Sequence, residues 1–264
     1  MKLGFIGCGN MATAIMGGIL SNGLMEPSDI IGADVFTPSK ENVKTKFGIQ
    51  IANTNKEVVE KAEVFVLSVK PQFYEEVIDE IKDSVKKDQL IITLAPGKTL
   101  MWLEEKFGKS VKIVRTMPNT PALVQEGITA ACPNQYVTEE ELEYVCQILR
   151  SFGEVEVLPE KLINAEMAIA GSSPAYVYMM IEALADAAVA EGMPRAQAYR
   201  IASKAVAGSA KMVLETGKHP GELKDMVCSP GGTTIAAVKV LEKTGFRSSL
   251  MEAVEACVNK TKEL

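Results

Sequence analysis

The chain has 264 residues, 47% of them apolar, with 28 basic against 34 acidic side chains and a net charge of −6. That size and composition suit one large globular domain or two modest ones and exclude a disordered chain. The acidic balance, without any Lys/Arg run, argues against a nucleic-acid partner. Strands are predicted at 2–7, 29–34, 63–69, 89–95, 111–116, 128–132 and 154–158. Several are continuous apolar runs, as expected for parallel strands covered on both faces. Helical patterns at 10–21, 39–47, 72–83, 99–107 and 138–151 lie between them, so residues 1–158 read as a doubly wound α/β sheet. From residue 159 no strand pattern remains. Helices are predicted at 160–169, 174–191, 195–216, 220–227, 233–244 and 247–262, with Pro174 and Pro194 near helix starts and Gly192, Gly217 and Gly245 at helix ends. Residues 159–264 therefore read as a second, all-helical domain. The apolar run 174–190 is broken by Glu182 and Asp186 and is short for a bilayer span, so no membrane partner is expected. Its helix is apolar nearly all round, which predicts burial against a second copy of the chain and hence a homodimer.

Gly7-x-Gly9-x-x-Ala12 follows the first predicted strand and opens the first helix. Gly7 permits the tight turn, Gly9 lets the backbone approach a pyrophosphate, and Ala12 allows close helix–strand packing. Together they predict a Rossmann-type dinucleotide site. Asp34 ends the second strand, where an acid favours the ribose 2′-hydroxyl of NAD. Thr37, Ser39 and Lys40 follow at once and suit a 2′-phosphate, so both cofactors stay open. The stretches 68–72 and 94–99 close two further strands and would line the same crevice. The five cysteines (8, 132, 146, 228 and 257) are odd in number, form no C-x-x-C pair and follow no apolar leader, so a reducing cytoplasm is expected. The single histidine, His219, precedes Pro220 and reads as part of a helix start. With no second histidine and no cysteine cluster, neither a zinc site nor a hydrolytic triad is expected. A carbonyl reduction wants a proton donor. An imine nitrogen is basic and arrives already protonated, so positioning alone can suffice. A second anion-binding stretch lies at Ser229-Pro230-Gly231-Gly232-Thr233-Thr234, directly ahead of a helix. It suits a small carboxylate, although a plain turn capped by Thr233 has the same composition.

End to end, the chain resembles the pyrroline-5-carboxylate reductases. The resemblance rests on "GFIGCGNMA" (4–12), "SVKPQ" (68–72), "RTMPNTPA" (115–122), "GSSPAY" (171–176), "HPGELKD" (219–225) and "SPGGTTIAAVKVLEKTGFRSSLMEAVEA" (229–256). It implies reduction of 1-pyrroline-5-carboxylate to L-proline with NADPH or NADH, the last step of proline biosynthesis. It also implies a Rossmann domain followed by a helical dimerisation domain, with dimers that in many members assemble into decamers. The residues implied for the cofactor, NADP with NAD as the alternative, are Ile6, Gly7, Cys8, Gly9, Asn10, Met11, Asp34, Asn55, Ser68, Val69, Lys70, Pro71, Ala95 and Gly97. Thr234 would bond the ring nitrogen. Ser229 and the stretch Gly231, Gly232, Thr233 and Thr234 would hold the carboxylate, and Glu160 falls where an acid lies near the substrate. Three positions depart from the family pattern: Ser173 and Pro96 replace small residues, and Val35 follows Asp34.

Two other readings share parts of this pattern. A β-hydroxyacid dehydrogenase has the same sheet-plus-helices plan but needs a lysine donor, and no signature surrounds Lys161, Lys204 or Lys211. A non-catalytic dinucleotide-binding dimer would leave the 229–234 stretch without a purpose.

Overall fold

The protein is described here by a computed structural model covering residues 2–261. It forms two compact units. Among the described residues, one comprises 2–171 together with 258–261; the other is Ser172–Cys257.

The first unit is built on an eight-stranded sheet in the order β3-β2-β1-β4-β5-β6-β7-β8. Its strands are β1 (Leu3–Ile6), β2 (Ile30–Ala33), β3 (Gln50–Ile51), β4 (Val64–Leu67), β5 (Leu90–Thr93), β6 (Lys112–Pro118), β7 (Gly127–Pro133) and β8 (Gly153–Val157). β1, β2, β4 and β5 are buried at every residue. Their side chains alternate between the two faces. Leu3 and Phe5 pack with Ile15, Met16, Ile19 and Phe152 on one side; Ile6, Phe65 and Leu67 pack with Tyr74, Ile78 and Ile113 on the other. All neighbours pair in parallel except β6 with β7, which are antiparallel. The chain order reverses between β1 and β4, which is where α/β sheets open a ligand crevice.

The covering helices are α1 (Asn10–Ser21), α2 (Thr37–Phe47), α3 (Asn55–Lys61), α4 (Tyr74–Ile81), α5 (Leu100–Phe107), α6 (Glu139–Arg150) and α7 (Ile163–Glu166). Thr138 caps α6 through the amide of Glu141, whose carboxylate returns to the Thr138 N–H; this capping box is legible in the sequence. β3 and α3 were not expected. β3 has only two residues at the sheet edge, and α3 has seven, of which only Val58 and Val59 are buried. The helix expected at 160–169 is instead a 3-10 turn (Glu160–Leu162), one α-turn in α7, and a π-helix (Met167–Gly171).

The second unit holds α8 (Ser173–Ala190), α9 (Arg195–Thr216), α10 (Pro220–Val227), α11 (Thr233–Lys243) and most of α12 (Phe246–Thr261). α8 packs along α9, but in α8 only Ala185 is buried, and in α9 only Ala198 and Ala202. Tyr178, Met179, Leu214 and Met251 are 60–74% exposed. Apolar residues in that state at helical spacing mark faces built to be covered. Among the described residues no helix is long and apolar enough to cross a membrane.

Candidate functional site

The β1–α1 turn has the geometry of a pyrophosphate cradle. Gly7 sits at φ +95, and a Cβ there would lie 2.8 Å from the carbonyl carbon and oxygen of Ser68. A Cβ on Gly9 would meet nothing within 4 Å. One glycine is required by crowding and backbone conformation; the other leaves a surface over which a ligand can pass. Gly9 is the N-cap of α1 without a side-chain cap, and the first intrahelical bond runs from Thr13 N–H to Gly9 O. The amides of Asn10, Met11 and Ala12 therefore have no intrahelical acceptor and face outward at the positive end of the helix.

The loop after β4 locks this turn. The Ser68 hydroxyl lies 2.6 Å from Gly7 O, and Ser68 N–H donates to Ile6 O at 2.8 Å. Val69 and the exposed Lys70 lead into a short 3-10 turn at Pro71–Phe73. Buried Tyr74 bridges the ends of β4 and β5: its hydroxyl donates to Leu67 O at 2.5 Å and accepts from Leu94 N–H at 3.0 Å. Ala95 is buried, so it offers backbone only, and Gly97 turns the following loop at φ +76.

Three expected cofactor residues, Asp34, Cys8 and Asn55, also make hydrogen bonds within the fold. Asp34 accepts backbone N–H groups on both oxygens, from Cys8 at 2.7 Å and Phe36 at 2.8 Å. It ties the β1–α1 turn to the end of β2. The Cys8 amide donates to Asp34, and its buried thiol points to Ala33 O. Burial, reinforced by the Asp34 charge, pushes that thiol up to about 12, so it stays protonated and inert. Asn55 bonds Glu80 Oε2 at 2.7 Å at the start of α3.

In the second unit, Ser229–Gly232 is a type II turn. Gly232 N–H donates to Ser229 O at 3.0 Å, Pro230 occupies the second position, and Gly231 the third at φ +69. Gly232 then serves as the N-cap of α11, with no side-chain cap. The Gly232 amide closes the turn, which leaves the amides after it as the ones without an intramolecular acceptor. Thr233 and Thr234 are the first two residues of α11, and the first bond into that helix comes from Ala236 N–H. Their amides, and the hydroxyls of Ser229, Thr233 and Thr234, have no partner among the described residues. A turn capped by Thr233 is not what forms. His219 caps α10 by accepting Gly221 N–H on Nδ1 at 3.0 Å.

Glu160 belongs to the first unit. Its Oε1 accepts from Arg115 Nη1 and from the amide of Leu100, each at 2.7 Å. It thus fixes the first residue of α5, just past the Ala95–Gly97 loop. Arg115 is 3% exposed in this pair. A cavity of about 480 Å³ opens beside it, with Gly97, Thr99, Lys161 and Asn164 also on its walls. Glu166, at the end of α7, has both carboxylate oxygens buried and unpaired, and burial raises its pKa to about 7.

Residues 160–264 match the family model described as pyrroline-5-carboxylate reductase dimerisation, and residues 2–97 match that of the coenzyme F420-dependent NADP oxidoreductases. The chain is 52% identical over 266 residues to the pyrroline-5-carboxylate reductase of Escherichia coli (strain K12), covering 100% of this chain and 98% of that one. The chain belongs to the pyrroline-5-carboxylate reductase family. A solved pyrroline-5-carboxylate reductase from Coxiella burnetii superposes with a TM-score of 0.93 at 37% identity, covering 99% of this chain and 97% of the other. The Plasmodium falciparum pyrroline carboxylate reductase, solved with NADP bound, gives 0.90 at 33% identity over 100% of this chain and 97% of the other.

The family assignment fits the site. A nicotinamide dinucleotide is the ligand that the β1–α1 turn, the uncapped α1 and the β4 loop suit. Sequence reasoning missed Arg115 and Glu166 as notable groups, and it missed the anchoring role of Asp34. Arg115 sits inside the family stretch 115–122, but only the fold shows it paired with Glu160.

Proposed function

We propose that this chain reduces the C=N bond of 1-pyrroline-5-carboxylate to give L-proline, taking its hydride from NADPH. The reading is supported by the turn at 229–234, where the Thr233 and Thr234 amides and the hydroxyls of Ser229, Thr233 and Thr234 have no partner among the described residues, in a chain of the pyrroline-5-carboxylate reductase family. Thr233 and Thr234 N–H, with the Ser229 hydroxyl, hold the substrate carboxylate at the positive end of α11. The Thr234 hydroxyl bonds the ring nitrogen and fixes which face of the ring is offered. The bound reduced nicotinamide supplies the hydride. The nitrogen arrives protonated, so addition of hydride at the adjacent carbon completes the amine and no protein acid is needed.

The sheet region, 1–158, holds the dinucleotide, and the region from 159 holds the substrate and the second copy of the chain. The exposed apolar faces of α8 and α9 support a homodimer, and further assembly of dimers into a decamer is the arrangement proposed. The odd cysteine count supports a cytoplasmic setting. NADPH is favoured because both Asp34 oxygens are engaged by backbone amides, which tempers the carboxylate's repulsion of a 2′-phosphate. Thr37, Ser39 and Lys40 then lie at the start of α2 to receive it. Glu160, expected at the substrate, is proposed instead to hold the loop after β5.

Thr234→Ala tests the assignment. Loss of a hydrogen bond made to the reacting nitrogen should lower kcat/KM by roughly 10- to 1,000-fold. Unchanged turnover of the imine would overturn the role given to Thr234.

A further inference from the structure

We infer that Tyr74 is a positioning residue for hydride transfer: its hydroxyl sets the spacing of the loops after β4 and β5 and so fixes the nicotinamide end of the cofactor. The inference rests on the imine-reductase reading above, and it assigns a role to a fully buried side chain with no surface to offer a ligand. β4 and β5 pair in parallel as far as Leu67 and Thr93. One more ladder bond, from Leu94 N–H to Leu67 O, would hold the strands together for a further step. The Tyr74 hydroxyl stands between those groups instead. It donates to Leu67 O at 2.5 Å and accepts from Leu94 N–H at 3.0 Å. An oxygen inserted there parts the carboxyl ends of two neighbouring parallel strands, and α/β sheets bind ligands outside such ends.

The bridge is held in place from several sides. Tyr74 opens α4, and Val77, Ile78 and Ile81 of the same helix are buried with it. Burial pushes the phenol well above its ordinary pKa, so the proton donated to Leu67 O stays in place. The bond to Leu67 O reaches back seven residues and closes the loop of Ser68, Val69 and Lys70. The bond from Leu94 fixes the residue just ahead of Ala95. Ser68 also bonds Gly7 O at 2.6 Å, so the cradle turn and the two loops are tied in series. The pyrophosphate end of the cofactor lies over Gly9 and the start of α1, whose geometry rests on bonds that Tyr74 does not make. Loss of the bridge therefore acts on the nicotinamide end.

Tyr74→Phe keeps the buried ring, so the variant should fold, and it removes the oxygen. Leu67 O and Leu94 N–H must then close on each other or stay unpaired, and either way the loop after β5 shifts against β4. A misplacement of about 1 Å at the reacting centre costs on the order of 100-fold in rate. In steady-state assays with NADPH and 1-pyrroline-5-carboxylate, Tyr74→Phe should lower kcat roughly 10- to 100-fold, while the NADPH Kd from nicotinamide fluorescence stays within about threefold of the parent. Val77→Ala, buried on the same helix, controls for lost packing: it should lower the melting temperature without changing kcat. The inference fails if Tyr74→Phe turns over like the parent, if Val77→Ala loses kcat to the same extent, or if NADPH affinity falls as far as kcat. A parent chain that oxidises no NADPH with the imine would instead overturn the imine-reductase reading, and this inference with it.

Discussion

Replacing Glu166 with glutamine probes the buried carboxylate at the end of α7, where the structure gives a number to work from. Neither oxygen has a hydrogen-bond partner, and burial raises the pKa from 4.5 to about 7. Between those values the folded chain holds a proton that the unfolded chain has released. Stability therefore falls as pH rises through this window, and the full penalty is present above pH 7. A rise of that size has a ceiling of about 3.4 kcal/mol at ~1.36 kcal/mol per pH unit. The side chain is only partly buried, so solvent screening brings the expected effect to about 1–2 kcal/mol. Glutamine is neutral at every pH and nearly the same shape. Glu166→Gln should accordingly gain about 1–2 kcal/mol in urea melts at pH 8 and differ little at pH 5, where both side chains are uncharged. An equal difference at both pH values, or a loss at pH 8, would refute the reasoning.

Two further substitutions test the backbone arguments. Gly7→Ala drives a Cβ into the Ser68 carbonyl at 2.8 Å in a left-handed conformation, so NADPH binding followed by nicotinamide fluorescence should be lost, with a fall of more than about 2 kcal/mol in thermal melts. Gln125 is the only non-glycine at positive φ among the described residues, at 62°, and Gln125→Gly should raise stability by about 0.5–1 kcal/mol; a loss would show that its exposed bond to Ser21 outweighs the strain.

Much of this architecture was legible because its determinants are local. The β1 turn and α1 could be read from Gly7, Gly9 and Ala12, since each residue type answers a steric demand made within a few residues. The type II geometry of 229–232 is likewise written in Pro230 and Gly231. What escaped was short, polar or distant in sequence. β3 and α3 have too few apolar positions to show a period. The direction of β6 against β7 is not encoded in either strand alone. The residues around 160–171 change helix type twice, which no hydrophobic period reports. Asp34 meets Cys8 across 26 residues, and Arg115 meets Glu160 across 45. For that reason the bonds by which Asp34 anchors the β1–α1 turn and Glu160 braces α5 could not be read from either segment alone. Composition likewise does not reveal that the Gly232 amide closes the turn.

The central claim is that the chain positions a protonated cyclic imine for hydride addition without a protein acid. The most direct measurement is steady-state oxidation of NADPH, followed by nicotinamide absorbance, on addition of 1-pyrroline-5-carboxylate. The account predicts oxidation that depends on the imine, with one L-proline formed for each NADPH consumed. It is contradicted if the chain binds NADPH but the imine causes no oxidation, or if a β-hydroxyacid is turned over while the imine is not.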